Sequence, residues 1–236
     1  MPPRTDRDRP LLAVLIDADN VPAKYAQAIL REITSIGEPA LRRVYGDWSS
    51  DRLRSWNEKL LSLGLVAVQE TANTKGKNAS DIGLVIDAMD ILHGGRFDGF
   101  VLVSSDSDFT ALANRLREDG LNVIGIGEKK TPEALRNVVN RFIFIENLEG
   151  TDEGEAPRKT TLKAADALPL IESAMAKLEQ DDDWFNLGQI GQTIQAAHPD
   201  FDTRSYGHSK LSALVRDINT LETEKAGARL LVRLKD

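Results

Sequence analysis

Two short apolar runs, each ending in paired aspartates, constrain this chain more than any other feature. Leu11 to Ile16 is six apolar residues in a row and leads into Asp17-Ala18-Asp19-Asn20. Phe100 to Val103 leads into Ser104-Ser105-Asp106-Ser107-Asp108. A strand buried on both faces reads as a near-continuous apolar run, because helices cover both sides of a parallel sheet. In such a sheet ligands bind beyond the carboxyl ends of the strands, where the strand order reverses. Two strands that both end in acid pairs therefore imply one acidic pocket. Carboxylates forced together repel and raise one another's pKa unless a cation sits between them. Carboxylate and water ligands suit Mg²⁺ and Mn²⁺, so the pattern points to a divalent-metal site for phosphodiester chemistry.

The segments between support a parallel sheet. Strands are expected at Leu11–Ile16, Ala40–Tyr45, Leu65–Gln69, Gly99–Val103, Asn122–Ile126 and Phe142–Ile145. Helices fall between them, at about Pro22–Ile36, Arg52–Leu63, Ser80–Leu92, Phe109–Asp119 and Pro132–Asn137. Asn20 before Val21-Pro22 reads as an N-cap with a proline in the first turn. Gly37, Gly64, Gly94 and Gly120 stand where helices should stop. Strand–helix alternation of this kind gives an α/β fold with right-handed crossovers.

The pattern breaks at Glu149 to Lys163, a stretch rich in Thr, Glu, Gly, Pro and Lys that reads as a linker. The expected organisation is a domain over 1–148, a linker over 149–163 and a second domain over 164–236. In that tail Leu168, Ile171, Met175 and Leu178 have helical spacing. Asn186 is placed to cap a helix running to Ala197, and a third helix covers roughly His208–Leu221. Leu230-Leu231-Val232 reads as a short strand. Three helices and a terminal strand make a small winged-helix-like α+β domain, a common binder of nucleic acid or protein.

Composition narrows the chemistry. The chain has no Cys, which excludes disulfides, zinc–thiolate sites and cysteine nucleophiles. Its three His leave little room for a His-rich metal site, and none has an evident route to Ser105 as a hydrolase base. Met1 to Pro10 is polar, and no run approaches a membrane span, so a cytoplasmic protein with no membrane association is expected. The net charge of −7 argues against nucleic acid at first sight. Residues 1–148, however, hold 19 Lys and Arg against 21 Asp and Glu, a net of −2, and five of those acids belong to the expected pocket. Arg42-Arg43, Arg52, Arg54, Lys75, Lys77, Arg115, Arg117 and Lys129-Lys130 would then form a basic rim able to hold phosphates. An ordinary mixed-charge surface reads the same way from charge alone.

With strand order 3-2-1-4-5, the first and fourth strands are neighbours, and Asp17 meets Asp106 and Asp108 at their tips. Asp81, in the first turn of the helix after the third strand, starts at the same edge. Asp17, Asp81, Asp106 and Asp108 are the candidate metal ligands and catalytic acids, with Asn20 as polar companion. Taken singly, Asp81 and Asp108 could equally cap helices. Asp17 directly follows the buried run, where an unpaired carboxylate is costly. Asp87 stands six residues beyond Asp81, well off the same helix face. Ser104, Ser105 and Asn20 offer neutral groups to orient a carboxylate, a water or a phosphate. Lys75 and Lys77, in a polar segment before the acid-bearing helix, are candidate substrate contacts, as is Ser105; a plain loop is the alternative for the two lysines.

Together Leu15-Ile16-Asp17-Ala18-Asp19-Asn20-Val21, Lys77 with Ser80-Asp81 and Leu84, Asp87, and Ser104-Ser105-Asp106-Ser107-Asp108-Phe109 resemble the NYN domain. The branch is that of the bacterial LabA-like proteins, within the PIN-like nuclease superfamily. The resemblance implies a Rossmann-like PIN fold and a Mg²⁺- or Mn²⁺-dependent ribonuclease with its acidic cluster at Asp17, Asp81, Asp106 and Asp108. It also places Asp87 at a further acidic position. In the tail, Ser205-Tyr206-Gly207-His208-Ser209-Lys210-Leu211-Ser212-Ala213-Leu214 is similar to the OST-HTH, or LOTUS, signature. That resemblance implies RNA binding or protein docking, with Lys210 as a candidate RNA contact. Residues 167–236 carry a net charge of −3, less basic than a strong RNA binder. The competing functional classes are a non-catalytic RNA- or protein-binding regulator that keeps the acidic pocket, and a phosphatase of the HAD type using Asp17-Ala18-Asp19.

Overall fold

Alternation along the first strand decides the layering. The computed structural model describes residues 8–69, 79–148, 162–178, 180, 182–227 and 229–235. By internal contacts the chain falls into two compact units, Met1–Thr151 and Asp152–Asp236. In the first, strand β1 (Leu11–Asp17) is buried from Leu12 onward. Leu12, Val14 and Ile16 join one apolar core and Ala13 and Leu15 another, so the strand is covered on both faces. The remaining strands are β2 (Glu38–Gly46), β3 (Val66–Gln69), β4 (Gly99–Val103), β5 (Asn122–Gly127) and β6 (Arg141–Phe144). Their order is β3-β2-β1-β4-β5-β6, and every pairing is parallel. The expected order is therefore found, with the sixth strand added beyond the fifth.

Helices α1 (Ala26–Ile36) and α2 (Arg54–Leu60) cover one face through Ile29, Ile33 and Trp56. Helices α3 (Ala79–His93), α4 (Thr110–Glu118) and α5 (Glu133–Val138) cover the other through Leu84, Ala88, Leu116 and Leu135. Each fully buried Leu, Ile or Phe contributes about 1.5–3 kcal/mol relative to exposure. The Phe100 ring in β4 has 0% of its surface exposed, so truncating it would leave a cavity at the centre of the sheet.

One local expectation is corrected. Asn20 does not cap the first helix: the chain enters through a 3-10 turn, Ala23–Tyr25, preceded by Pro22, and the Asn20 side chain turns back to Asp17. Gly94 directly follows α3 as expected, and the left-handed turn comes one residue later, at Gly95, with φ 63°.

The second unit contains α6 (Leu168–Lys177), α7 (Leu187–Ala197) and α8 (Leu211–Asp217). Strands β7 (Phe185–Asn186), β8 (Leu221–Ala226) and β9 (Arg229–Leu234) form an antiparallel sheet in the order β7-β9-β8. Asn186 caps α7 as expected, its Oδ1 accepting the Gly188 N–H at 2.8 Å. The third helix is shorter than the apolar spacing implies, because Leu221 already belongs to the hairpin β8–β9. Ile171, Ile190, Ile194, Leu214, Val215 and Val232 pack between helices and hairpin. Gly207 ends a 3-10 turn with φ 83°, and exposed Lys210 stands at the N-cap of α8.

Candidate metal centre

Parallel pairing of β1 with β4, register Ile16↔Val103, brings the two acid-bearing tips side by side. Asp17 is buried, with 2% of its surface exposed. Four donors hold its carboxylate. Oδ1 accepts the backbone N–H groups of Asp19 (3.2 Å) and Asn20 (3.3 Å). Oδ2 accepts the Asn20 side-chain amide (2.6 Å) and the Ser104 hydroxyl (2.8 Å). Burial pushes the Asp17 carboxyl above its ordinary range, and the Asn20 and Ser104 hydrogen bonds pull it partly back.

The Ser104 hydroxyl has a second partner. Its oxygen accepts the Asp106 backbone N–H at 3.1 Å, so one buried side chain ties Asp17 to the loop that carries Asp106. Asp106 precedes a 3-10 turn, Ser107–Phe109, and its Oδ1 accepts the Asp108 N–H at 2.9 Å. Asp81 arrives from the first turn of α3. Asp81, Asp106 and Asp108 each present an oxygen within 4.8 Å of the others. Asp17 stands outside that threesome, yet its charge acts on Asp81.

Asp81 is pushed up to about 6, first by burial and then by the negative charges of Asp17, Asp106, Asp108 and Asp19. A cation would relieve this crowding, and an all-oxygen donor set fits Mg²⁺ or Mn²⁺. A stability consequence follows. An unfolded Asp81 titrates near 3.8, so between about pH 4 and pH 6 the folded protein binds the extra proton, and stability falls as pH rises through that window. Above about pH 6 the penalty is complete. Asp81→Asn should therefore raise the metal-free Tm at pH 7.5 by about 2–4 °C, ~1 kcal/mol once solvent screening of this partly exposed group is allowed for. The gain should vanish near pH 4. A thermal melt in chelator across pH 4–8 checks this; a lower Tm at pH 7.5 would refute it.

The other candidates are placed as follows. Asn20 touches Asp17 directly. Ser105 turns inward, 9% exposed, and its hydroxyl accepts the Glu128 N–H at 2.9 Å, which braces the β4 loop against the β5 loop. Lys75 and Lys77 lie outside the described residues. Lys210 belongs to the second unit. Asp87 lies outside the acidic group: it takes an ion pair from Arg43 and a hydrogen bond from the Tyr45 hydroxyl. Arg52 and Lys130, expected in the basic rim, line a cavity beside Asn20, and with them stands Glu128, which sequence reasoning missed. The signal available was position, since Glu128 directly follows β5, the strand beside β4.

Comparison with family models matches residues 11–146 to the NYN domain and residues 162–232 to the OST-HTH/LOTUS domain. Among solved structures, a Vibrio parahaemolyticus protein of unknown function is similar at 21% identity and a TM-score of 0.49 over 58% of this chain and 93% of that one. MurG of Acinetobacter baumannii is similar at 12% identity and a TM-score of 0.39 over 89% of this chain and 70% of that one. Neither likeness bears on the chemistry of the site. No curated protein matches the chain significantly.

Proposed function

This chain belongs to the NYN domain family, and we propose that it is a Mg²⁺- or Mn²⁺-dependent endoribonuclease whose tail engages RNA or a docking partner. The NYN domain is a nuclease-superfamily domain and OST-HTH/LOTUS an RNA-binding one. The single observation that carries the catalytic reading is the threesome Asp81, Asp106 and Asp108, with Asp17 held behind it.

Asp81, Asp106 and Asp108 would hold the ion, with Asp17 completing the negative field. Once bound, such an ion lowers the pKa of a water and offsets charge on the phosphate. The chain's own part is positional. Ser104 holds the Asp17 carboxylate and the Asp106 backbone in one geometry, and the Asn20 amide satisfies the remaining face of Asp17. Asp108, the most exposed of the three, would be the group to take the proton from an incoming water. Lys75 and Lys77 are retained as proposed substrate contacts, and Lys210 as a proposed RNA contact of the tail.

We place the nuclease domain at 1–148, the linker at 149–163 and the second domain at 164–236. Among the described residues no helix is long and apolar enough to cross a membrane. The test is incubation of single-stranded and structured RNA with Mn²⁺, Mg²⁺ or chelator, using the full chain and residues 1–150. Internal cleavage that needs metal and survives in 1–150 is expected. Absent cleavage with RNA binding retained would favour the regulatory reading, and cleavage that proceeds in chelator would overturn the metal assignment.

A further inference from the structure

A cavity of about 310 Å³ adjoins the Asp19–Asn20 turn that follows β1. That is the small end of the roughly 300–1,000 Å³ range of small-molecule pockets, enough for one planar group. Asn20, Arg52, Ser55, Trp56, Glu128 and Lys130 are among the residues that line it. Its walls are tied to the acidic centre at two points. Asn20 donates to Asp17, and Glu128 donates its N–H to Ser105, next to Asp106. Trp56 forms a rigid floor: its ring is 1% exposed and its Nε1 donates to the Val21 carbonyl at 2.9 Å.

The charges decide what class of group fits. Asp19 and Glu128 are balanced by Arg52 and Lys130, and the Lys130 ammonium lies 2.5 Å from Glu128 Oε2. A phosphate subsite needs excess positive charge; this pocket offers matched donors and acceptors instead. Those are what read the edges of an unstacked base in single-stranded RNA. Guanine alone presents two adjacent donors, N1–H and N2–H₂, which suit a carboxylate. Its O6 and N7 acceptors suit an arginine.

We propose that this pocket receives the base of the nucleotide adjoining the phosphate at the acids, and that Glu128 and Arg52 make it prefer guanine. The inference rests on the proposed RNA-cleaving reading, so its test separates the two. Fluorescein-labelled single-stranded nonamers of uridine with a central G, A, C or U are titrated against the full-length protein in chelator, by anisotropy. The G nonamer should bind about tenfold tighter than the others. Glu128→Gln and Arg52→Met should each cut that preference to about twofold. Arg52 is an exposed side chain, so its variant decides the matter if Glu128→Gln fails to fold. Cleavage of the same nonamers with Mn²⁺ is followed in parallel. Equal affinity for all four, or none for any, overturns the pocket assignment even where cleavage persists. A guanine preference lost in both variants, without any cleavage, upholds the pocket and sinks the catalytic reading.

Discussion

Asp106→Asn should lower metal-dependent RNA cleavage by on the order of a thousandfold in kcat/KM, because an ion clamp supplies several kcal/mol of charge stabilisation. The fold should not notice. Asp106 caps a 3-10 turn through Oδ1, and an asparagine keeps that acceptor and is as good a cap. A Tm no lower than wild type, with cleavage reduced to background, is the expected pair of results. Cleavage within tenfold of wild type would move the chemistry elsewhere. Asp17→Asn is a poorer probe of the same point. Its Oδ2 receives both the Asn20 amide and the Ser104 hydroxyl, so an amide nitrogen there would face two donors. That variant should lose stability as well as activity, by about 1–3 kcal/mol.

Asp87→Ala should be the opposite case, a large loss of stability with the metal centre left standing. The Tyr45 side chain is 1% exposed, and its hydroxyl donates to the Asp87 carboxylate. Burial, then the Asp87 hydrogen bond and charge, hold the Tyr45 hydroxyl far above its ordinary range. The Arg43 guanidinium completes the group. Removing Asp87 strands a buried hydroxyl and a half-buried cation, at a cost of about 2–3 kcal/mol. Urea unfolding measures it. Mn²⁺ affinity of the folded variant should stay within about twofold. A change in unfolding free energy under about 0.5 kcal/mol, or a tenfold loss of Mn²⁺ affinity, would instead make Asp87 part of the centre.

These two residues also mark what sequence can and cannot carry. The sheet order was legible because β1 and β4 are so apolar that only a doubly covered parallel position suits them, and that placement alone brought Asp17 towards Asp106. Asp81 was legible from its place at the start of a helix on the same edge. Asp87 was not, since its partners come from β2 and depend on which side chains of that strand face α3. The inward turn of Ser105 depended likewise on the neighbouring strand β5. Asn20 has the composition of a helix cap but found a stronger demand in the buried carboxylate of Asp17. The third tail helix was overdrawn because Leu221 continues an apolar pattern that the hairpin, not the helix, uses.

The Ser104 bridge has a consequence for the making of the protein. Its hydroxyl meets Asp17 across 87 positions of chain, from a strand synthesised long after β1. Pairings of such separation close late, since chain entropy opposes them until many residues are ordered. A ribosome-bound chain that stops short of β4 contains Asp17 and Asp81 but lacks Ser104, Asp106 and Asp108. It can neither gather the threesome nor quiet the buried carboxylate. The acidic centre is therefore complete only once β4 has joined β1 in the middle of the sheet.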